Sequence, residues 1–202
     1  MTRTCLLRLL LPTLFAGATW AQRVQNMDIY FLAGPSVART QVIGGTDVTL
    51  FRSTGYSSTT GYGYQVMRKA AVSLWVEFAP MVNSSPAAQT ATIHGSVTQS
   101  GLMFVPGVRL MAPVQSRISV FGAMGGGVGW FENATLTSDN PPDLKTHSVI
   151  HGVFSFGGGV DFRLSRFISV RVDVRDFVTG RELGGISGRN HPMPMMGFAA
   201  HF

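Results

Sequence analysis

Seven ionisable residues share one kind of position in this chain: Glu77, Arg109, Asp161, Arg163, Arg171, Asp173 and Arg175 each fall on the face opposite an alternating apolar set. Carboxylates and guanidiniums held together in a narrow, dry space would pair, because an unpaired buried ion is strongly destabilising. The same residues could line a narrow pore or an ion path. Ser187, His191 and Glu182 supply a nucleophile, a base and an acid within one stretch, although no recognisable motif links them. His94, His147, His151, His191 and His201 are scattered, and His147 and His151 would lie about 13 Å apart along a strand, too far for one metal ion. Gly125-Gly126-Gly127-Val128-Gly129 and Gly157-Gly158-Gly159 invite a phosphate-loop reading. Such a loop must open a helix, whereas Trp130-Phe131 and Val160-Asp161-Phe162 continue as strand. Glycine here is expected to clear room for large neighbours and to let strands curve. No catalytic residue, metal ligand or cofactor site is assigned.

The elements that must position these residues follow from composition and periodicity. The chain has 202 residues, a formal charge of +6, 13% charged and 45% hydrophobic residues, 24 Gly, 14 Phe and one Cys. Low charge with normal aromatic content excludes disorder, and a single Cys excludes a disulfide scaffold. After the first 20 residues no uncharged apolar run reaches the length of a membrane helix. Residues 1–21 place Arg3 and Arg8 before an apolar stretch from Leu9 to Ala16, then end in Thr19-Trp20-Ala21. That is the pattern of a secretory signal peptide, leaving residues 22–202 as the working domain. Cys5 precedes the apolar stretch, so it does not sit where a lipid-modified cysteine would have to be. The basic residues form no run of the kind a nucleic-acid stripe needs, and nucleic acid is not expected as a partner.

The clearest strand is Arg166–Phe177. Ile168, Val170, Val172 and Val174 fall on one face, and Ser169, Arg171, Asp173 and Arg175 on the other. His151–Arg163 repeats the design, with Phe154, Phe156, Val160 and Phe162 opposite Ser155, Asp161 and Arg163. Six further strands are expected at Met27–Ala38, Thr60–Met67, Ala70–Pro80, Ser100–Met111, Arg117–Phe131 and His191–Phe202. Pro106 has no amide to give a ladder and counts against a regular strand around it. The connections run long, short, long, short, long, short, long: 39–59, 68–69, 81–99, 112–116, 132–150, 164–165 and 178–190.

This rhythm matches a closed, eight-stranded antiparallel transmembrane β-barrel, an all-β fold with short periplasmic turns and long outer loops. Lipid permits a spanning sheet only if the sheet closes on itself, and such barrels alternate apolar-out with polar-in. Periodicity alone does not separate this from a soluble barrel, which would reverse the faces and could hold a small apolar ligand. Three features favour the membrane: small residues on the polar face, aromatic residues near strand ends (Tyr62, Trp130, Phe131, Phe167, Phe177), and a terminus of alternate apolar residues, Met196, Phe198, Ala200 and Phe202.

With these eight strands and the MGFAAHF terminus, the chain resembles the small outer-membrane β-barrel family, of the OmpA-like transmembrane domain type. The resemblance implies a monomeric, non-enzymatic outer-membrane protein. It also implies that Met196, Phe198, Ala200 and Phe202 are the signal read by the barrel-assembly machinery. The seven charged residues would then plug the lumen. Membrane lipid and lipopolysaccharide would be the surroundings, with Arg39, Arg52, Arg181 and Arg189 placed to meet lipopolysaccharide phosphates. Some barrels of this kind modify lipid A, so Ser187, His191 and Glu182 keep a rim-sited enzyme as the alternative.

Overall fold

A computed structural model describes residues 25–36, 41–42, 49–52, 55–88, 97–113, 116–136, 144–179 and 190–202. Their strands are β1 (Met27–Ser36), β2 (Gln41–Val42), β3 (Thr49–Arg52), β4 (Gly55–Lys69), β5 (Val72–Phe78), β6 (Pro80–Ala88), β7 (Val97–Phe104), β8 (Gly107–Ala112), β9 (Ile118–Leu136), β10 (Leu144–Arg163), β11 (Ile168–Thr179) and β12 (Asn190–His201). The expected signal peptide, residues 1–21, lies outside the described residues.

Eight of these units form a ring. β1 pairs with β4, and β4 with β5 and its continuation β6. β5 and β6 pair with β8 and β7, which are two halves of one strand, and both halves pair with β9. β9 pairs with β10, β10 with β11, β11 with β12, and β12 returns to β1. Every pairing in the ring is antiparallel, and all but the closing β12–β1 pair join successive strands of the ring, which makes it an up-and-down barrel; β3 and β2 extend the sheet from β6. Reciprocal backbone hydrogen bonds between Met27 and Phe202, at 2.9 and 3.2 Å, fasten the first strand to the last residue.

Proline interrupts the wall where the sequence indicates. The strand expected at Ser100–Met111 breaks into β7 and β8, with Val105 and Pro106 between them. Pro106 still accepts a hydrogen bond from the Gly126 amide at 3.1 Å, so only the donor it lacks is lost. The adjacent strand breaks at the same level, between Phe78 and Pro80.

The wall also climbs further than the alternation indicates. Parts of the connections expected at 39–59, 81–99, 132–150 and 178–190 are strand: β4 starts at Gly55, β6 runs to Ala88, and β9 and β10 have 19 and 20 residues. That is roughly twice the 9–11 residues a membrane crossing needs. Asn83-Ser84-Ser85-Pro86, turn-forming residue types within the connection expected at 81–99, pair with Gly101, Ser100, Gln99 and Thr98. Beyond a lipid belt a ladder needs no apolar face, so periodicity loses sight of it. The short turns shift slightly for a related reason. Lys69 pairs with Val72, which moves the first turn from 68–69 to Ala70-Ala71. Hydrogen bonds from Leu164 and Ser165 to the Ile168 carbonyl, both 3.0 Å, lengthen the third beyond 164–165.

The faces are sorted as lipid would require. Val172 and Val174 point outward, half exposed, while Arg171 and Asp173 between them are fully buried. Inside, the long-loop half is apolar: Leu32, Met81, Met103, Phe131, Val153, Phe177, Met193 and Met195 pack into one cluster. This corrects the expectation of a polar interior throughout. An eight-stranded interior is filled by side chains, so apolar residues can close it as well as polar ones.

Ala70 holds a backbone φ of 51°, in the left-handed region where a Cβ is unfavourable. Ala70→Gly is therefore expected to stabilise the barrel by up to about 1 kcal/mol, seen as a higher urea midpoint of unfolding; an unchanged or lower midpoint would show that the turn carries no strain.

Candidate functional site

Five strands, β1, β5, β8, β10 and β11, send charged side chains together into the barrel interior. Arg109 of β8 donates to Asp28 of β1 at 2.5 Å. Arg171 of β11 donates to the same Asp28 oxygen at 2.8 Å and to Asp161 of β10 at 2.6 and 3.1 Å. Arg175 donates to Asp173 at 2.8 Å and to Glu77 of β5. Arg109 also lies 3.6 Å from Glu77, which links the two halves. The result is a continuous chain of four carboxylates and three guanidiniums, all buried.

Aromatic rings frame the guanidiniums. Tyr30 lies 4.7 Å below Arg171 and 5.7 Å from Arg109, and its hydroxyl reaches Glu77 at 3.4 Å. Trp75 stands 5.1 Å from Arg109, and Phe121 lies near both Arg109 and Arg171. Ring faces attract these cations where water is scarce. The Trp75 indole N–H is itself satisfied, donating to Ser73 at 2.8 Å.

Glycine makes the level wide enough. A Cβ at Gly61 would overlap the Tyr30 ring, and one at Gly63 would collide with the Asp28 carboxylate and stand 2.9 Å from an Arg109 nitrogen. With Tyr30, Asp28 and Arg109 placed as they are, neither position has room for a Cβ. Above it, a cavity lined by Tyr30, Ala79, Met81, Val105, Arg175 and Met195 has room for about one water.

Six of the seven charged residues singled out in the sequence meet in this network. The seventh, Arg163, is half-buried at the short-turn end of β10 and belongs to none of its ion pairs. The acid that holds the network together, Asp28, was missed. Its signal existed, because Asp28, Tyr30 and Leu32 alternate with Ile29 and Phe31. At the C-terminal end, Met196, Phe198 and Phe202 are exposed on the outer face and Ala200 is partly exposed. His191 stands 3.5 Å from Thr179, while Ser187 and Glu182 lie outside the described residues. Arg39, Arg181 and Arg189 lie outside them too, and Arg52 closes β3.

No protein-family model matches the sequence, and no curated protein matches it. Solved structures do. The outer membrane protein OprG from Pseudomonas aeruginosa is similar with a TM-score of 0.57, at 12% identity, over 89% of this chain and 96% of that one. Neisserial surface protein A is similar with a TM-score of 0.53, at 11% identity, over 87% of this chain and 96% of that one. With the closed ring, the outward apolar face and the buried ions, this likeness shows that the chain has the fold of the small eight-stranded outer-membrane β-barrels.

Proposed function

We propose that this chain is an integral outer-membrane barrel without enzymatic activity, its lumen closed by the charge network and its long loops free for contacts at the cell surface. One observation carries the reading. Ile29, Phe31, Val120, Phe154, Val174 and Phe198 are 46–63% exposed around the outside, while Asp28, Arg109, Arg171 and Asp173 are 0% exposed within. In water an apolar belt of this extent would drive aggregation; in lipid it is the surface the barrel needs. A soluble carrier of apolar ligands would need the reverse sorting. Among the described residues, the buried side chains of the charge level and a cavity with space for about one water beside Arg175 support a closed lumen.

The test is mobility in detergent gels with and without boiling. The folded barrel should migrate at a different position from the boiled chain, and carbonate washing should leave it in the membrane fraction. Release by carbonate, with no heat-dependent shift, would overturn the reading.

The network also makes a stability prediction. Arg171→Met strips Asp28 and Asp161 of a shared partner in a buried site, and such a loss costs about 3–5 kcal/mol. Arg163→Met, outside the network, should cost less than about 1 kcal/mol. Urea titration followed by gel shift distinguishes the two; equal effects would mean the network does not hold the barrel together.

A further inference from the structure

Every described short turn carries cations. Arg68 and Lys69 close β4, Arg117 precedes β9, and Arg163 and Arg166 flank the turn from β10 to β11. The sequence scatters them, but the fold gathers them on one rim. The Arg163 amide donates to the Arg117 carbonyl at 2.8 Å, which sets two of the turns side by side. Gln25 donates to the Arg166 carbonyl at 2.6 Å, which ties the second of these two turns, that between β10 and β11, to the start of β1. Arg68, Lys69, Arg117 and Arg166 are exposed.

No acidic side chain answers them among the described residues at that end. Asp28, Glu77, Asp161 and Asp173 are consumed in the lumen. The remaining acids, Asp47, Glu132, Asp139, Asp143, Asp176 and Glu182, belong by sequence to the long connections or the strand ends beside them. The cations also sit at a defined depth. Exposed Met67, Ile118, Phe167, Ile168 and Phe202 adjoin them, so the apolar belt ends where the positive charge begins. The Arg166 guanidinium lies 4.7 Å over the Phe167 ring, bridging the two zones.

We propose that this rim binds the anionic phosphate headgroups of the phospholipid leaflet that surrounds the short turns. The proposal rests on the membrane reading above. A ring placed directly against an apolar belt faces headgroups on all sides, whereas a groove or patch would suit an acidic chain. Arginine forks match phosphate oxygens, and each cation near an anionic lipid surface adds attraction that salt screens.

The test uses the full folded chain in nanodiscs of phosphatidylcholine and phosphatidylglycerol in equal parts. Native mass spectrometry then reads which lipids stay with the protein on release. Phosphatidylglycerol should be enriched about fivefold or more, the effect of a single cation at such a surface. The combined variant R68Q/K69Q/R117Q/R166Q should bring the ratio close to one while keeping the heat-dependent gel shift. R52Q/K145Q, on the long-connection side, should leave the enrichment in place. Even retention of both lipids by the natural chain, or enrichment that survives the combined variant, would overturn the proposal. A chain that fails to insert, or shows no gel shift, would instead overturn the membrane reading.

Discussion

A sheet that closes on itself leaves no backbone donor or acceptor at an edge, and this closure is the constraint on which the structure depends. Between β12 and β1 it joins the two ends of the described chain through paired strands and the Met27–Phe202 bonds. Hydrocarbon offers nothing to an unpaired amide, so a ring with a gap would not survive there. Pro106 shows how narrow the tolerance is. The wall accepts a residue without a donor by splitting one strand into β7 and β8 while keeping the carbonyl engaged with Gly126.

Closure with eight strands makes the interior narrow, and narrowness dictates its chemistry. Ions placed there lose water and must find one another, as Asp28 does with both Arg109 and Arg171. Large side chains meeting at one level require space from their neighbours, which Gly61 and Gly63 supply. Elsewhere in the same cylinder, Met81, Met103, Met193 and Met195 fill the space with flexible apolar groups. Both halves satisfy one requirement, a packed interior, by different chemistry.

Charge is sorted along the barrel as well as across its wall. Acids occupy the lumen and the long connections, and the short-turn rim holds cations alone among the described side chains. The overall formal charge of +6 conceals this arrangement completely. Arg68, Arg117 and Arg163 are far apart in sequence, and only the antiparallel return of each hairpin puts them on one rim.

Much of the fold was legible because strand periodicity is local: Ile168 to Val174 alternate with Ser169 to Arg175 whatever the rest of the chain does. The number of membrane-crossing strands, the rhythm of the connections and the break at Pro106 follow from the same short-range rules. Alternation could not say which face was inside, since a soluble barrel has the same pattern reversed. Nor could it follow the ladder into Asn83-Ser84-Ser85-Pro86, where pairing with β7, and not side-chain type, keeps the chain extended. The amino-acid order by itself thus determined strands, faces and turns, which depend on neighbours a few residues away. The partners of Asp28, the lack of room for a Cβ at positions 61 and 63 and the gathering of rim cations were decided only by tertiary structure, because each requires residues from different strands to meet in space.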